Sequence, residues 1–301
     1  MANIIIEIIP IVSIFIFGYL FRRFGILKNE DGDLLLKLIF YLSLPALILF
    51  SIVSVELSKE FLFIPFIAMW IILATFFVSL FIGKLIFTEN KSLGTFLVGS
   101  VTMEVSFAIP FIVSTYGNEG MARLVLFDLG SSLLVFSFVY FIACRYGENT
   151  KNSNNKIMKK VIFSPPILAV IIAIAINLFN IQMPQVSLDL LKTLGNLTVP
   201  LIMLSVGIYF NPKLDKFLPL FSAVFIRMFI GLFVGFILIN IFDLEGLSRV
   251  IVLIASASPI CYNTLTFSSL EGLDKEFAAN LISLSILIGF LLIPFLLFIL
   301  N

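Results

Sequence analysis

Three ionisable side chains stand deep inside apolar runs of this chain: Glu104 in GSVTMEVSFAIPF, Asp128 in VLFDLGSS and Arg227 in AVFIRMFIG. A charge at the centre of a bilayer costs about 2.5–3.5 kcal/mol on insertion scales, so each of them calls for a partner or a role. Two acids against one base leave one negative charge, which a bound cation or a proton would cancel. The chemistry that these types suit is ion capture and release by carboxylates and anion recognition by a guanidinium. Covalent catalysis is a poor fit. The chain has no histidine, which removes a serine–histidine dyad and a histidine-ligated zinc protease, and Asp128 has no second aspartate to form an aspartyl site. The protein is not expected to be an enzyme or to carry a cofactor, and nothing points to a nucleic-acid partner.

Hydroxyls, amides and prolines surround these charges. Pro110 follows Glu104 and Ser106, and SASPICYNTLTFSS, Ser256 to Ser269, places Pro259 amid serines, threonines, Tyr262 and Asn263. Proline removes a backbone donor and clashes with the preceding turn, so a helix should break near each, freeing carbonyls to line a cavity. Asn263 can donate and accept beside such a break. Ser131 and Ser132 share the face of Asp128 at i+3 and i+4, an arrangement that suits either an oxygen-rich ion site, such as sodium at Asp128 and Glu104, or a plain polar helix contact. Arg227 either pairs with Glu104 or Asp128 to pin two helices, or meets an anionic substrate.

The elements that hold these residues are membrane helices. The chain is 60% hydrophobic and 12% charged, with a mean hydropathy of +1.16 and its charge confined to short clusters between long apolar runs. A core of about 30 Å needs roughly 20 apolar residues per helix. The sequence divides into ten such spans, near 4–22, 33–54, 61–87, 92–116, 119–143, 161–180, 186–210, 217–241, 246–270 and 274–300. The first run has no Lys or Arg before it and ends at Arg22 and Arg23, the reverse of a signal peptide, which makes it a retained span. With both termini outside the cytoplasmic membrane, the inner loops hold most of the Lys and Arg, including Arg22, Arg23, Lys28, Lys84, Lys91, Arg145, Lys151, Lys156, Lys159, Lys160, Lys213, Lys216 and Lys275. Lys59, Arg123, Lys192 and Arg249 are left outside.

A shift of 155 positions superposes Pro10 on Pro165, Leu35-Leu36-Lys37 on Leu190-Leu191-Lys192, Leu42 on Leu197, Pro45 on Pro200 and Gly117 on Gly272. The chain therefore reads as an all-α polytopic membrane protein built of two repeats, residues 1–144 and 161–301, joined by a cytoplasmic linker at 145–160. Five spans per repeat is an odd number, so the second repeat is inverted. The same offset matches the fourth span to the ninth, and these two broken helices are expected to cross near the midplane. Pro45 and Pro200 read as kinks that ease packing.

The opening IIPIVSIFIFGYLFRRFGILKNEDGDLLLKLIFYLSLPALIL, FDLG at Phe127 to Gly130, LTVPLIMLSVGIYF at Leu197 to Phe210, and ASPICYNTLTF at Ala257 to Phe267 followed by LISLSILIGFLLIP resemble the auxin efflux carrier family, which includes plant PIN-type carriers and bacterial and archaeal organic-acid permeases. The resemblance implies the bile acid sodium symporter-like fold: spans one, two, six and seven as a scaffold, three to five and eight to ten as a moving domain. It implies a small organic anion bound where spans four and nine cross and carried by alternating access. On their own chemistry the residues expected to bind it there are Asn263, Arg227, Ser106, Tyr262, Pro110 and Pro259, with a proton or sodium carried by Glu104, Asp128 and Ser131. The resemblance also implies a homodimer through the scaffold. At the first break the chain departs from the family pattern of asparagine, glycine and proline. It has Met103, Glu104 and Ala108 before Pro110, which points to a different coupling ion or to a substrate unlike a simple dicarboxylate. The competing reading is a sodium/proton exchanger of similar build, centred on Glu104 and Asp128.

Overall fold

In the computed structural model, residues 2–53, 63–148, 159, 162–179, 181–210 and 217–300 are described; the side chains of some, Ser106 and Pro110 among them, are not. The loop and linker lysines Lys59, Lys151, Lys156, Lys160, Lys213 and Lys216 lie outside these residues. Apart from one isolated bridge, the regular structure of the described residues is helical. Six helical stretches are long and apolar enough to cross a bilayer: Asn29–Phe50, Phe63–Ile86, Arg123–Tyr146, Gln185–Tyr209, Phe217–Ile241 and Lys275–Leu300. Their outward faces carry side chains such as Phe81 and Phe298, which are 70% and 84% exposed, and lipid is the solvent that suits such a surface. This is the architecture of a multi-pass membrane protein.

In chain order the helices are α1 (Ala2–Arg23), α2 (Asn29–Leu38), α3 (Leu44–Val53), α4 (Phe63–Ile86), α5 (Asn90–Val101), α6 (Ile109–Leu134) and α7 (Tyr140–Tyr146). They continue with α8 (Pro165–Leu178), α9 (Gln185–Asn196), α10 (Thr198–Tyr209), α11 (Phe217–Phe225), α12 (Gly231–Ile241), α13 (Gly246–Ser256), α14 (Asn263–Glu271) and α15 (Lys275–Leu300). Wide π-turns at Ile39–Ser43, Val135–Val139 and Ile226–Ile230 link α2 to α3, α6 to α7 and α11 to α12. Pro45 lies just past the first of them, in the opening turn of α3, and Pro200 lies in the opening turn of α10. Each sits where a missing backbone N–H costs little.

Packing divides the helices into two groups. α1 lies along α10, α3 against α8 and α9, and α2 against α10; α4 packs on α5, α6 and α12, α5 on α7, and α13 on α6 and α12. The first group is joined by glycines that let backbones touch. A methyl at Gly207 would come within 2.1 Å of the Phe15 carbonyl oxygen, and one at Gly18 within 2.2 Å of that of Leu204. In the second group a methyl at Gly130 of α6 would strike the carbonyl oxygen of Pro65 of α4 at 2.1 Å.

Two helices end in mid-protein. α5 stops at Val101 and α13 at Ser256, 155 positions apart; extended backbone follows the first at Thr102, and a turn at Ala257 leads out of the second into a non-helical segment. Gly117 and Gly272, also 155 apart, both take positive φ, 58° and 76°, as a residue without Cβ readily does. The first break is not at its proline. Backbone unwinds at Thr102–Glu104, a 3-10 turn covers Val105–Ala108, and Pro110 falls in the first turn of α6. In the second break Pro259 is inside the unwound segment itself, between Ser256 and Asn263.

Candidate functional site

Unwinding leaves donors and acceptors that must find partners inside the protein, and the two breaks supply them to each other. Met103 and Ile260 form an antiparallel bridge; the Glu104 N–H donates to the Pro259 carbonyl at 2.8 Å and the Cys261 N–H to that of Thr102 at 3.4 Å. The hydroxyls of Thr102 and Thr264 lie 2.7 Å apart. α15 adds Ser285, whose Oγ accepts from the Ile260 N–H at 3.0 Å. The crossing is thus a fixed joint of two short extended segments, buried throughout.

Arg227 serves the same joint. It is fully buried on the π-turn after α11; Nη2 donates to the Ser256 carbonyl at 2.6 Å and Nε to that of Ser258 at 3.3 Å. The Ser256 carbonyl ends α13, the negative end of its dipole, and that of Ser258 lies in the unwound segment beyond it. Gly231 makes room: a Cβ there would lie 2.8 Å from Nη2. The expected ion pair of Arg227 is therefore corrected. Among the described residues it pairs with neither Glu104 nor Asp128, and it is not on the wall of the cavity described next. Its counter-charge is a helix end.

On the other side of the joint opens a cavity of about 190 Å³. Glu104, Asp128, Ser131, Ser132, Tyr262 and Asn263 stand on its wall, with Thr198 and Cys261. Glu104 accepts from the Cys261 thiol, Sγ to Oε2 3.1 Å. Asp128, Ser131 and Ser132 come from one face of α6. Asn263 opens α14; it is 8% exposed, and its Oδ1 has no hydrogen-bond partner among the described residues. The opposite wall is apolar and belongs to the other helix group: Leu44, Leu47 and Ile48 of α3, and Val199 and Ile202 of α10. No Lys or Arg is among the described residues that line it.

Of the residues singled out in the sequence, Glu104, Asp128, Ser131, Tyr262 and Asn263 come together around this space. Pro259 is buried behind it, contributing its carbonyl to Glu104. The side chains of Ser106 and Pro110 lie outside the described ones. Sequence reasoning missed Cys261 and Thr198, whose only signal was proximity to a break or to Pro200. It also missed a second polar cluster: Lys275 Nζ lies 2.9 Å from both oxygens of Asp33, and Ser269 and Tyr209 donate to the same carboxylate. This cluster ties α2 and α10 to the end of α14 and the start of α15.

The sequence profile described as Membrane transport protein matches residues 3–297. An uncharacterized transporter of Methanocaldococcus jannaschii is 28% identical over 298 residues, covering 95% of this chain and 96% of its own length. An uncharacterized transporter of Methanothermobacter thermautotrophicus is 24% identical over 207 residues, covering 68% of this chain and 67% of its own.

Proposed function

The chain belongs to the membrane transport protein family, the auxin efflux carriers, and from that premise we propose that it moves a small organic anion across the cytoplasmic membrane by alternating access, coupled to protons or sodium. The observation that carries this reading is the cavity itself. It lies between two helix groups, at the joint of two broken helices, with Glu104, Asp128 and an Asn263 oxygen that has no partner among the described residues on one wall. In transporters with broken helices, half-helix N-termini face anionic groups of the substrate at the midplane, and α14 begins at the cavity with Asn263.

Ten spans in two inverted repeats, both termini outside, complete the proposal. The 155-residue spacing of the helix ends at Val101 and Ser256, and of Gly117 and Gly272, supports the repeat. The packing of α1, α2, α3, α8, α9 and α10 on one another supports a scaffold, against which the remaining helices move. A lining with two acids and no base disfavours a bare anion. A proton or sodium ion held by Glu104 and Asp128, with Ser131 beside them, would remove that repulsion and couple the two movements. A ligand biases the inward–outward equilibrium only by binding one state better, so cargo and ion must act at the same wall.

The same lining favours a second reading, sodium/proton exchange without an organic cargo. Uptake of radiolabelled organic acids into proteoliposomes, with sodium and proton gradients imposed separately, decides between them. Accumulation of a carboxylate under one gradient, lost in Asn263→Ala and uncoupled in Glu104→Gln, is the expected result. Sodium or proton exchange with no anion moved would hand the site to the second reading.

A further inference from the structure

Resting on the transporter reading and its carboxylate cargo, but replacing the net anion, we propose that this carboxylate also bears an ammonium: a small amino acid with an apolar side chain, bound as its zwitterion with the ammonium at Glu104 and Asp128 and the carboxylate at Asn263 and the start of α14. Charge leads to this class. A mono- or dicarboxylate entering the cavity meets two acids and no Lys or Arg among the lining residues, because Arg227 is held on the far side of the joint by the Ser256 and Ser258 carbonyls. An ammonium on the same molecule reverses that sign where the acids are. Among the described lining residues the electropositive features are helix starts, Ile109 of α6 and Asn263 of α14 among them, and the N-terminal dipole of α14, a helix of nine residues beside the Asn263 amide, suits a carboxylate.

Asn263 lies between the two. It is more than nine-tenths buried, and its Oδ1 has no partner among the described residues. A carboxamide offers an acceptor and a donor side by side, Oδ1 and Nδ2. An α-amino acid presents the complement, an N–H donor and a carboxylate acceptor on adjacent atoms of one carbon. One side chain can therefore bond both groups and fix the α-carbon at the joint. From there the amino-acid side chain points to the apolar wall of Leu44, Leu47, Ile48, Val199 and Ile202.

Size and charge set further limits. About 190 Å³ lies below the roughly 300–1,000 Å³ of pockets for drug-sized ligands, so the cargo is small. The zwitterion's ammonium answers one carboxylate of the pair. The other remains for one proton or one sodium ion, which gives a defined coupling of one cation per amino acid.

The test uses matched probes on the purified full-length carrier, by thermal unfolding in detergent and by uptake into proteoliposomes. L-leucine, L-valine and L-alanine carry both charges; 4-methylpentanoate lacks the ammonium of leucine, and isoamylamine lacks its carboxylate. At least one amino acid should raise the unfolding midpoint by several degrees and accumulate, with both single-charge analogues at least tenfold weaker. Asn263→Asp, which keeps the size of the side chain and adds a negative charge, should shift preference from leucine toward isoamylamine. Uptake of 4-methylpentanoate in preference to the amino acids overturns the proposal and leaves the anion carrier standing. Uptake of isoamylamine alone overturns both it and the anion reading. No uptake of any probe, with sodium or proton exchange intact, removes the organic cargo altogether.

Discussion

A lone carboxylate and a pair of them lie at opposite ends of one short helix, and they are treated differently. At the C-terminal end of α14, Asp33 receives Ser269, Tyr209 and both-oxygen contact from Lys275, whose ammonium also lies 5.2 Å from the Tyr209 ring centroid. At its N-terminal end, Glu104 and Asp128 face a cavity beside an amide oxygen that has no described partner. Nine residues at 1.5 Å each separate the two ends by roughly 13 Å. Polar groups in a protein interior are ordinarily satisfied, so three donors on the Asp33 carboxylate make that cluster a strap between helices, and the Asn263 acceptor on the cavity wall is the one that the proposed ligand would complete. Both act on α14, which makes its position the variable they share.

The largest effect should come from removing the charge at the cavity. Glu104→Gln with Asp128→Asn keeps size and most hydrogen bonding but deletes both charges. Truncating one side of a buried charged contact costs about 2–5 kcal/mol, so the affinity of a cationic group should fall by a factor of roughly 30 to several thousand. Stability should hold or rise, because two like charges near one another in a low-dielectric space oppose folding. Uptake and the thermal midpoint, measured on the same preparation, separate the two effects. A marked loss of stability with cargo affinity unchanged would make these acids structural, and the contrast with Asp33 would vanish.

Breaking the strap should do the reverse. Asp33→Ala leaves Ser269, Tyr209 and Lys275 without their common acceptor, at a cost of about 1–3 kcal/mol in stability. Lys275→Ala removes one donor from a pair about one-third exposed and should cost only about 0.2–1 kcal/mol. Cys261 reports whether α14 is released: it lines the cavity, and the other thiol, Cys144, is buried elsewhere and can be replaced by serine. In that background Asp33→Ala should speed maleimide labelling of Cys261 from the face that carries Arg22 and Arg23. Unchanged labelling would show that the strap does not govern access.

The difference between the two clusters also explains what could be read from the sequence. Glu104, Asp128 and Asn263 stand out because each is polar inside a run of apolar residues, an anomaly visible without any partner. Asp33 and Lys275 do not. Each sits among other charges near a helix end, Glu30 and Asp31 for one and Glu276 for the other, and 242 residues separate them. Such residues are indistinguishable from solvated loop charges until the chain is folded. Arg227 was legible as buried but not as to its partner, because a helix C-terminus created by a break has no side-chain signature. The breaks themselves were announced by Pro110 and Pro259. Only the second proline lies in the unwound segment, since a proline tolerated in a helix's first turn marks the start of a helix as readily as its interruption.

The smallest effect on cargo affinity sharpens the comparison at the joint between the clusters. Thr102 and Thr264 bond each other at 2.7 Å, both are fully buried, and neither belongs to the strap. Thr102 is not among the residues on the cavity wall, and neither is Thr264. If their hydroxyls only close the crossing, Thr102→Val should cost about 1 kcal/mol, most of it the desolvated Thr264 hydroxyl left without a partner. Adding Thr264→Val removes that orphan, so the double variant should recover part of the loss, a non-additivity that thermal unfolding of the four proteins measures directly. Cargo affinity should stay within twofold throughout. An additive loss, or a change in affinity that follows the hydroxyls, would mean that the joint itself takes part in binding, and that the boundary between satisfied structure and open site lies deeper than the cavity wall.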